Sequence, residues 1–128
     1  MSFDHVAFQV SNMDSSISFY TQKLGFKLNS RSVNEEEQEE YAFLEYGNAR
    51  LELIRDLKEK YRKPEIKRPY CPHLCLEVEN MKQSIETLKK NNIQIIRGPL
   101  EAKDEGTWVY FSDPDNNILE YIQWYKKK

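Results

Sequence analysis

The sequence has little of what small domains commonly use to staple themselves together or to capture ions: two cysteines and two histidines in 128 residues. So few cysteines exclude a disulfide-dense scaffold. Cys71 and Cys75 are four residues apart. In an extended segment that spacing overshoots the Cα separation of about 4.4–6.8 Å that a disulfide requires, so free thiols and a reducing compartment are expected. An excess of charge of one sign is also missing. Lys and Arg number 19 against 21 Asp and Glu, a formal net charge of −2. With no basic helix and no aromatic–basic stripe, this balance excludes a nucleic-acid binder. No apolar run approaches the roughly 20 residues of a membrane helix. The start, Met1-Ser2-Phe3-Asp4-His5, lacks the charged region and apolar stretch of a signal peptide. A cytoplasmic protein without nucleic-acid or membrane partners is expected.

What is present is a repeat. Sliding the chain by 68 positions sets residues 1–60 against 69–128, and 14 of the 60 pairs are identical. Chance gives roughly four at ordinary residue frequencies. His5 meets His73, Val10 meets Val78, Asn12-Met13 meets Asn80-Met81, and Ser16-Ile17 meets Ser84-Ile85. Phe43 then meets Phe111, Asn48 meets Asn116, Leu51-Glu52 meets Leu119-Glu120, and Ile54 meets Ile122. No gap is introduced. The period is longer than solenoid repeats, which indicates a duplicated half-domain. The length suits one domain of residues 1–128, made of a module over 1–54, a connecting loop over 55–70 and a second module over 71–128.

Each copy reads as strand, helix, strand, strand, strand. Phe3–Val10 alternates and is rich in β-formers. Asn12 or Asp14 suits a helix cap, Ile17, Tyr20 and Leu24 recur at helical spacing, and Gly25 suits the stop. Strands follow over Phe26–Val33, Tyr41–Tyr46 and Ala49–Ile54. Between the first two, Asn34–Glu40 holds five glutamates and no apolar residue and reads as a solvated hairpin. In the second copy the strands are His73–Val78, Ile93–Arg97, Gly106–Ser112 and Ile118–Trp124, with a helix over Met81–Lys90. Asp113–Asn117 carries strong turn chemistry. The connecting loop Arg55–Tyr70 has seven Lys or Arg against three Asp or Glu. It reads as a linker or as an ordered loop near the site, where Arg55, Lys58, Arg62, Lys67 and Arg68 are available to an anion.

The same shift superposes both histidines and pairs Glu52 with Glu120, with 47 residues from His to Glu in each copy (52 − 5 and 120 − 73). If first and last strands are neighbours, each copy presents one His and one Glu. Two copies then give a His2Glu2 site from His5, Glu52, His73 and Glu120. Imidazole and carboxylate suit nickel, zinc, cobalt, manganese or iron. Four protein ligands leave positions open for water or a bidentate substrate, as a catalytic site requires. The plainer reading makes each His a hydrogen-bonded core residue and each Glu an outward residue of an alternating strand, but it must explain one coincidence in two places. A rival zinc clip, Cys71-x-His73-x-Cys75, lacks the usual cysteine spacing. On the preferred reading one or both cysteines line the wall beside His73.

Asp4-His5-Val6-Ala7-Phe8, Ser18-Phe19-Tyr20 through Leu24-Gly25-Phe26, His73–Val78 and Asp113–Glu120 together resemble the vicinal-oxygen-chelate superfamily of glyoxalases, bleomycin-resistance proteins and extradiol dioxygenases, over essentially the whole chain. The order His, Glu, His, Glu is most similar to bacterial glyoxalase I. The resemblance implies an α+β fold of two tandem βαβββ modules, a curved mixed sheet around a metal-binding cleft. It also implies a homodimer with sites at or near the interface, one divalent ion per site, and a small-molecule substrate. The implied reaction is that of a lactoylglutathione lyase-like enzyme: enediolate proton transfer on a thiol hemithioacetal of a 2-oxoaldehyde, with Glu120 as base and Glu52 as its partner, and a thiol cosubstrate such as glutathione. Glutathione-using members carry an Arg four residues after the first ligand and an Asn four after the second; here Gln9 and Asp56 stand there. The alternatives are an acyl-CoA epimerase, a non-catalytic resistance-type binding protein, and an extradiol dioxygenase, whose two-His-one-Glu triad leaves no role for Glu52.

Overall fold

The computed structural model describes residues 1–126. The chain forms two compact units, Met1–Pro64 and a second beginning at Glu65. In the first, β1 (Val6–Gln9) leads to α1 (Met13–Ser18), a π-helical turn over Phe19–Lys23, β2 (Lys27–Asn34), β3 (Glu39–Tyr46) and β4 (Ala49–Asp56). In the second, β5 (His73–Glu77) leads to α2 (Met81–Lys90), β6 (Ile95–Ala102), β7 (Gly106–Ser112) and β8 (Ile118–Trp124). Each unit holds one open mixed sheet, ordered β1-β4-β3-β2 and β5-β8-β7-β6. The fold is α+β, two tandem βαβββ modules.

Short-range chemistry repeats between the copies. Asn12 Oδ1 accepts from the Ser15 amide and Asn80 Oδ1 from the Gln83 amide, both at 3.0 Å, which satisfies one orphan donor at each helix start. The residue after each cap, Met13 or Met81, is buried. Val10 N donates to Ile54 O, and Val78 N to Ile122 O, 68 positions on. The first strand therefore docks in parallel beside the last in each module. The first helix departs from the expected simple stop at Gly25: it widens into the π-helical turn before Gly25 turns the chain at φ +84°.

Alternation along each sheet separates a core face from an open one. Leu51, Leu53, Ala42 and Leu44 are fully buried with Tyr20 and Met13 of the helical segment. In the second module Leu119, Val109 and Phe111 are buried with Leu88 and Met81 of α2. The opposite face carries Glu52 or Glu120.

Two expectations are corrected. His5 lies just before β1, not within a strand starting at Phe3, because the parallel ladder begins at Val6 opposite Leu51. The repeat is also not gapless in space. Phe43 pairs with Glu52, whereas Tyr110 pairs with Glu120, so this strand superposes with a shift of 67 (110 − 43). The Phe43–Phe111 identity is thus coincidental: Phe111 is fully buried in the core, while Phe43 packs against His5. The cause is the unequal hairpin, whose last pairs are Tyr46–Ala49 in one copy and Ser112–Ile118 in the other. A one-residue slip turns a side chain to the other face.

The longer hairpin is tied by Asp113, itself buried. Asp113 Oδ1 accepts from the amides of Asp115 and Asn117, and Oδ2 accepts from Asn117 Nδ2, all at 2.9 Å. Asp113→Ala leaves those donors unsatisfied and is expected to cost about 2–4 kcal/mol. A denaturant melt checks this; an unchanged midpoint would contradict it. The acidic stretch is also more ordered than a solvated loop. Glu39 and Glu40 belong to β3, and Glu40 accepts from Arg31 Nε at 2.9 Å and from Arg55 Nε at 3.2 Å.

Candidate metal half-sites

In the first module His5 Nε2 stands 3.1 Å from Glu52 Oε1. Its other nitrogen, Nδ1, lies 2.7 Å from Asp4 Oδ2, which Arg50 Nη1 holds in turn at 2.8 Å. The hydrogen bond from His5, and then Arg50, keep the Asp4 carboxyl below its ordinary range. Phe43 meets the His5 ring edge-on at 5.2 Å, and the Arg50 guanidinium lies 4.6 Å over the Phe43 ring.

In the second module His73 Nε2 stands 2.8 Å from Glu120 Oε1, while Nδ1 lies 2.8 Å from the Tyr70 carbonyl oxygen. Tyr110 meets the His73 ring edge-on at 5.4 Å. The aromatic neighbour is thus Phe43 in one copy and Tyr110 in the other, as the 67-residue register requires.

The physical consequence is the same in both. A carbonyl or carboxylate only accepts, so each Nδ1 carries its proton toward its partner, and that fixes the ring. Nε2 then faces a carboxylate oxygen. Two acceptors flank each ring, and Nε2 and the glutamate oxygen offer lone pairs side by side. Anchoring of the distal nitrogen in this way orients metal-binding histidines. The donor set fits a borderline divalent ion. Each module brings one His and one Glu together, and among the described residues no group of three or more His, Cys, Asp or Glu side chains gathers to hold an ion.

The geometry of Cys71 speaks against the zinc clip. Cys71 precedes β5, and its Sγ turns to the Pro69 carbonyl at 3.5 Å. Both cysteines are free. Cys75 pairs with Glu120 across β5 and β8, so its thiol lies on the same face as that carboxylate. Cys75 is exposed as a residue, but local burial of its thiol, together with the carboxylates of Glu120 and Glu77, pushes it up to about 12. At pH 8 only about one such thiol in ten thousand is thiolate, the reactive form. In metal-free protein, iodoacetamide is therefore expected to label Cys71 well before Cys75, with Glu120→Gln accelerating Cys75; peptide mass spectrometry showing equal labelling would contradict this.

Several neighbours escaped the sequence reading. Tyr110 faces the same side as Glu120, and burial plus that carboxylate raises its phenol above the usual range. Beyond it, Arg97 pairs with Tyr110 and Leu100 with Trp108. Parity along β7, counted from the Asp113–Asn117 turn instead of by the 68-residue shift, would have found Tyr110. The bulges of β6, between Ile95 and Arg97 and again between Arg97 and Leu100, hide the other two. In the first module Gln9 and Asp56, the two departures from the glutathione-binding pattern, line a cavity of about 320 Å³ with Lys58, Lys60 and Tyr61. Asp56 Oδ1 accepts from the Lys58 amide at 2.8 Å, so this carboxylate caps its own loop. Arg55, one of the expected loop cations, instead lies in β4 and is paired with Glu40.

The model of the glyoxalase/bleomycin resistance protein/dioxygenase superfamily matches residues 2–121. A lactoylglutathione lyase of Escherichia coli O157:H7 is 32% identical over 125 residues, covering 93% of this chain and 90% of that protein. A probable lactoylglutathione lyase of Vibrio cholerae is 28% identical, covering 93% and 88%. Among solved structures, a glyoxalase family protein of Enterococcus faecalis superposes with a TM-score of 0.78 at 25% identity over 94% of this chain and 96% of that one. The trypanothione-dependent glyoxalase I of Leishmania major gives 0.75 at 25% identity over 93% and 84%. The chain belongs to the glyoxalase/bleomycin resistance protein/dioxygenase superfamily.

Proposed function

We propose that the chain is a metal-dependent, glyoxalase I-like lyase whose ligands are His5, Glu52, His73 and Glu120, acting as a cytoplasmic homodimer. The observation that carries this reading is the His–Glu contact made twice, 3.1 Å and 2.8 Å, each with its Nδ1 anchored. The lactoylglutathione lyases among its relatives support the reaction class. When bound, a divalent ion such as nickel or zinc supplies Lewis-acid stabilisation of negative charge on two neighbouring substrate oxygens.

The protein's own groups do the rest. The substrate is the hemithioacetal of a 2-oxoaldehyde and a thiol. Glu120 takes the proton from the carbon bearing the thiol and returns it to the adjacent carbon, while a hydroxyl proton moves between the two oxygens. The product is a 2-hydroxy thioester, an isomer of the substrate, so no oxidant or reductant is consumed. A base acts within about 2.6–3.2 Å of its proton, so Glu120 turns from its ligand position toward the substrate, and Glu52 serves as its partner. Tyr110 stands beside Glu120 in the next strand, on the same face.

The thiol is set by contacts outside this reacting centre. With Gln9 in place of a guanidinium, a bidentate grip on a carboxylate is lost there. Thioester formation from methylglyoxal, followed by ultraviolet absorbance with glutathione and several other thiols, tests the reading. Turnover with at least one thiol is expected; no thioester from any of them, in protein loaded with each divalent ion in turn, would overturn it.

A further inference from the structure

Three arginines of the first module are matched to carboxylates: Arg31 to Asp14 and Glu40, Arg50 to Asp4, Arg55 to Glu40. The second module departs from this. Arg68 and Arg97 both line one cavity of about 370 Å³, and among the described residues no carboxylate lies within ion-pair distance of either. Arg97 is half-buried. A half-buried, unpaired guanidinium is costly unless something else neutralises it.

The rest of the cavity says what that partner is. Tyr70, Trp108, Tyr110 and Leu100 give it largely apolar walls, with the Tyr70 and Tyr110 rings tilted at 45° and their centroids 5.0 Å apart. Glu101 completes the lining and is engaged by the Tyr125 hydroxyl. Two cations and one anion leave a net lining charge of +1 (2 − 1). That sum matches a monoanion better than a dianionic phosphate. The guanidinium fork suits a carboxylate, and the volume suits a compact organic body.

Register fixes the distance to the ligands. Cys75, Glu120, Tyr110 and Arg97 form one row across β5, β8, β7 and β6. Strands lie about 4.8 Å apart, so the Arg97 backbone is about 10 Å from that of Glu120. Tyr110 stands between them and touches both territories: its ring contacts His73 on one side and lines the cavity on the other.

We propose that this cavity is a carboxylate subsite, in which Arg97 and Arg68 hold the acid group of a substrate whose flat or apolar body lies on Trp108 and Tyr110. That the other end of the same molecule reaches His73 and Glu120 rests on the metal-site reading above; the carboxylate subsite itself does not.

Titration calorimetry on chelator-stripped protein separates the two. Benzoate, neutral benzamide and inorganic phosphate are the probes, against wild type, Arg97→Gln and Glu120→Gln. Arg97 makes no ion pair in the fold, so its variant is expected to melt no lower than the wild type. Benzoate is expected to bind about tenfold or more tightly than benzamide, an advantage lost in Arg97→Gln and kept in Glu120→Gln. Equal binding of benzoate and benzamide, tighter binding of phosphate, no binding, or an Arg97→Gln variant indistinguishable from wild type would each overturn the proposal. Arg97-dependent benzoate binding in a protein that forms no thioester would leave the subsite standing and remove the lyase reading.

Discussion

Glu120→Gln is expected to lower the turnover number of the metal-loaded protein about a hundred- to ten-thousand-fold, the range for loss of a general base. The substitution preserves shape and keeps an oxygen facing His73 Nε2, so the backbone has no reason to move. Glu120 is buried beside fully buried Leu119, but their side chains point to opposite faces, and the core is untouched. What is lost is a group able to accept the substrate's proton. The effect belongs to turnover, not to substrate binding, and steady-state kinetics with the best thiol checks it. A variant within threefold of wild type would move the base elsewhere. Glu52→Gln is expected to do less, since the carboxylate of Glu120 remains.

Chelation is expected to reduce turnover to background and to leave the fold standing. Both halves of that expectation come from where the ligands sit. The modules bury Tyr20, Leu51 and Leu53 in one case and Phe111, Leu88 and Leu119 in the other. None of His5, Glu52, His73 and Glu120 contributes to those apolar clusters, so the folding energy is expected not to pass through an ion, unlike in small zinc-dependent folds. Circular dichroism of stripped protein should match the untreated protein, and activity should return with nickel, cobalt or zinc. Collapse of the spectrum on stripping would show that the ion is structural; full activity after stripping would show that it is dispensable.

The sequence made legible those elements whose signals are local. Met81–Lys90, Gly106–Ser112 and Ile118–Trp124 follow from helical spacing, turn chemistry and alternation, and the structure places them at the same residues. A cap at Asn12 or Asp14 is legible because such side chains compete directly for the next turn's amides; the structure selects Asn12 and repeats the cap at Asn80. Each His–Glu pair was legible because parallel docking of first and last strands preserves the 68-residue shift. Non-local information is not legible in the same way. The register of β7 depends on the length of the hairpin that follows it, so Phe111 was matched to Phe43 although the two face opposite ways. β6 starts two residues later than expected, at Ile95, and continues through two bulges to Ala102. Its site-facing residues, Arg97 and Leu100, therefore show no period of two. Glu40 read as solvated because nothing in Asn34–Glu40 indicates that Arg31 and Arg55 converge on it from neighbouring strands.

The central claim is that two His–Glu pairs, one from each copy of the repeat, complete a single ion site. Nickel titration of chelator-stripped protein by calorimetry tests it most directly, with His5→Ala, Glu52→Gln, His73→Ala and Glu120→Gln beside the wild type. The account predicts one ion per chain in the wild type and affinity weakened about tenfold or more by each of the four substitutions, those of the first module as much as those of the second. Two ions bound per chain, or binding unaffected by His5→Ala and Glu52→Gln, would contradict it.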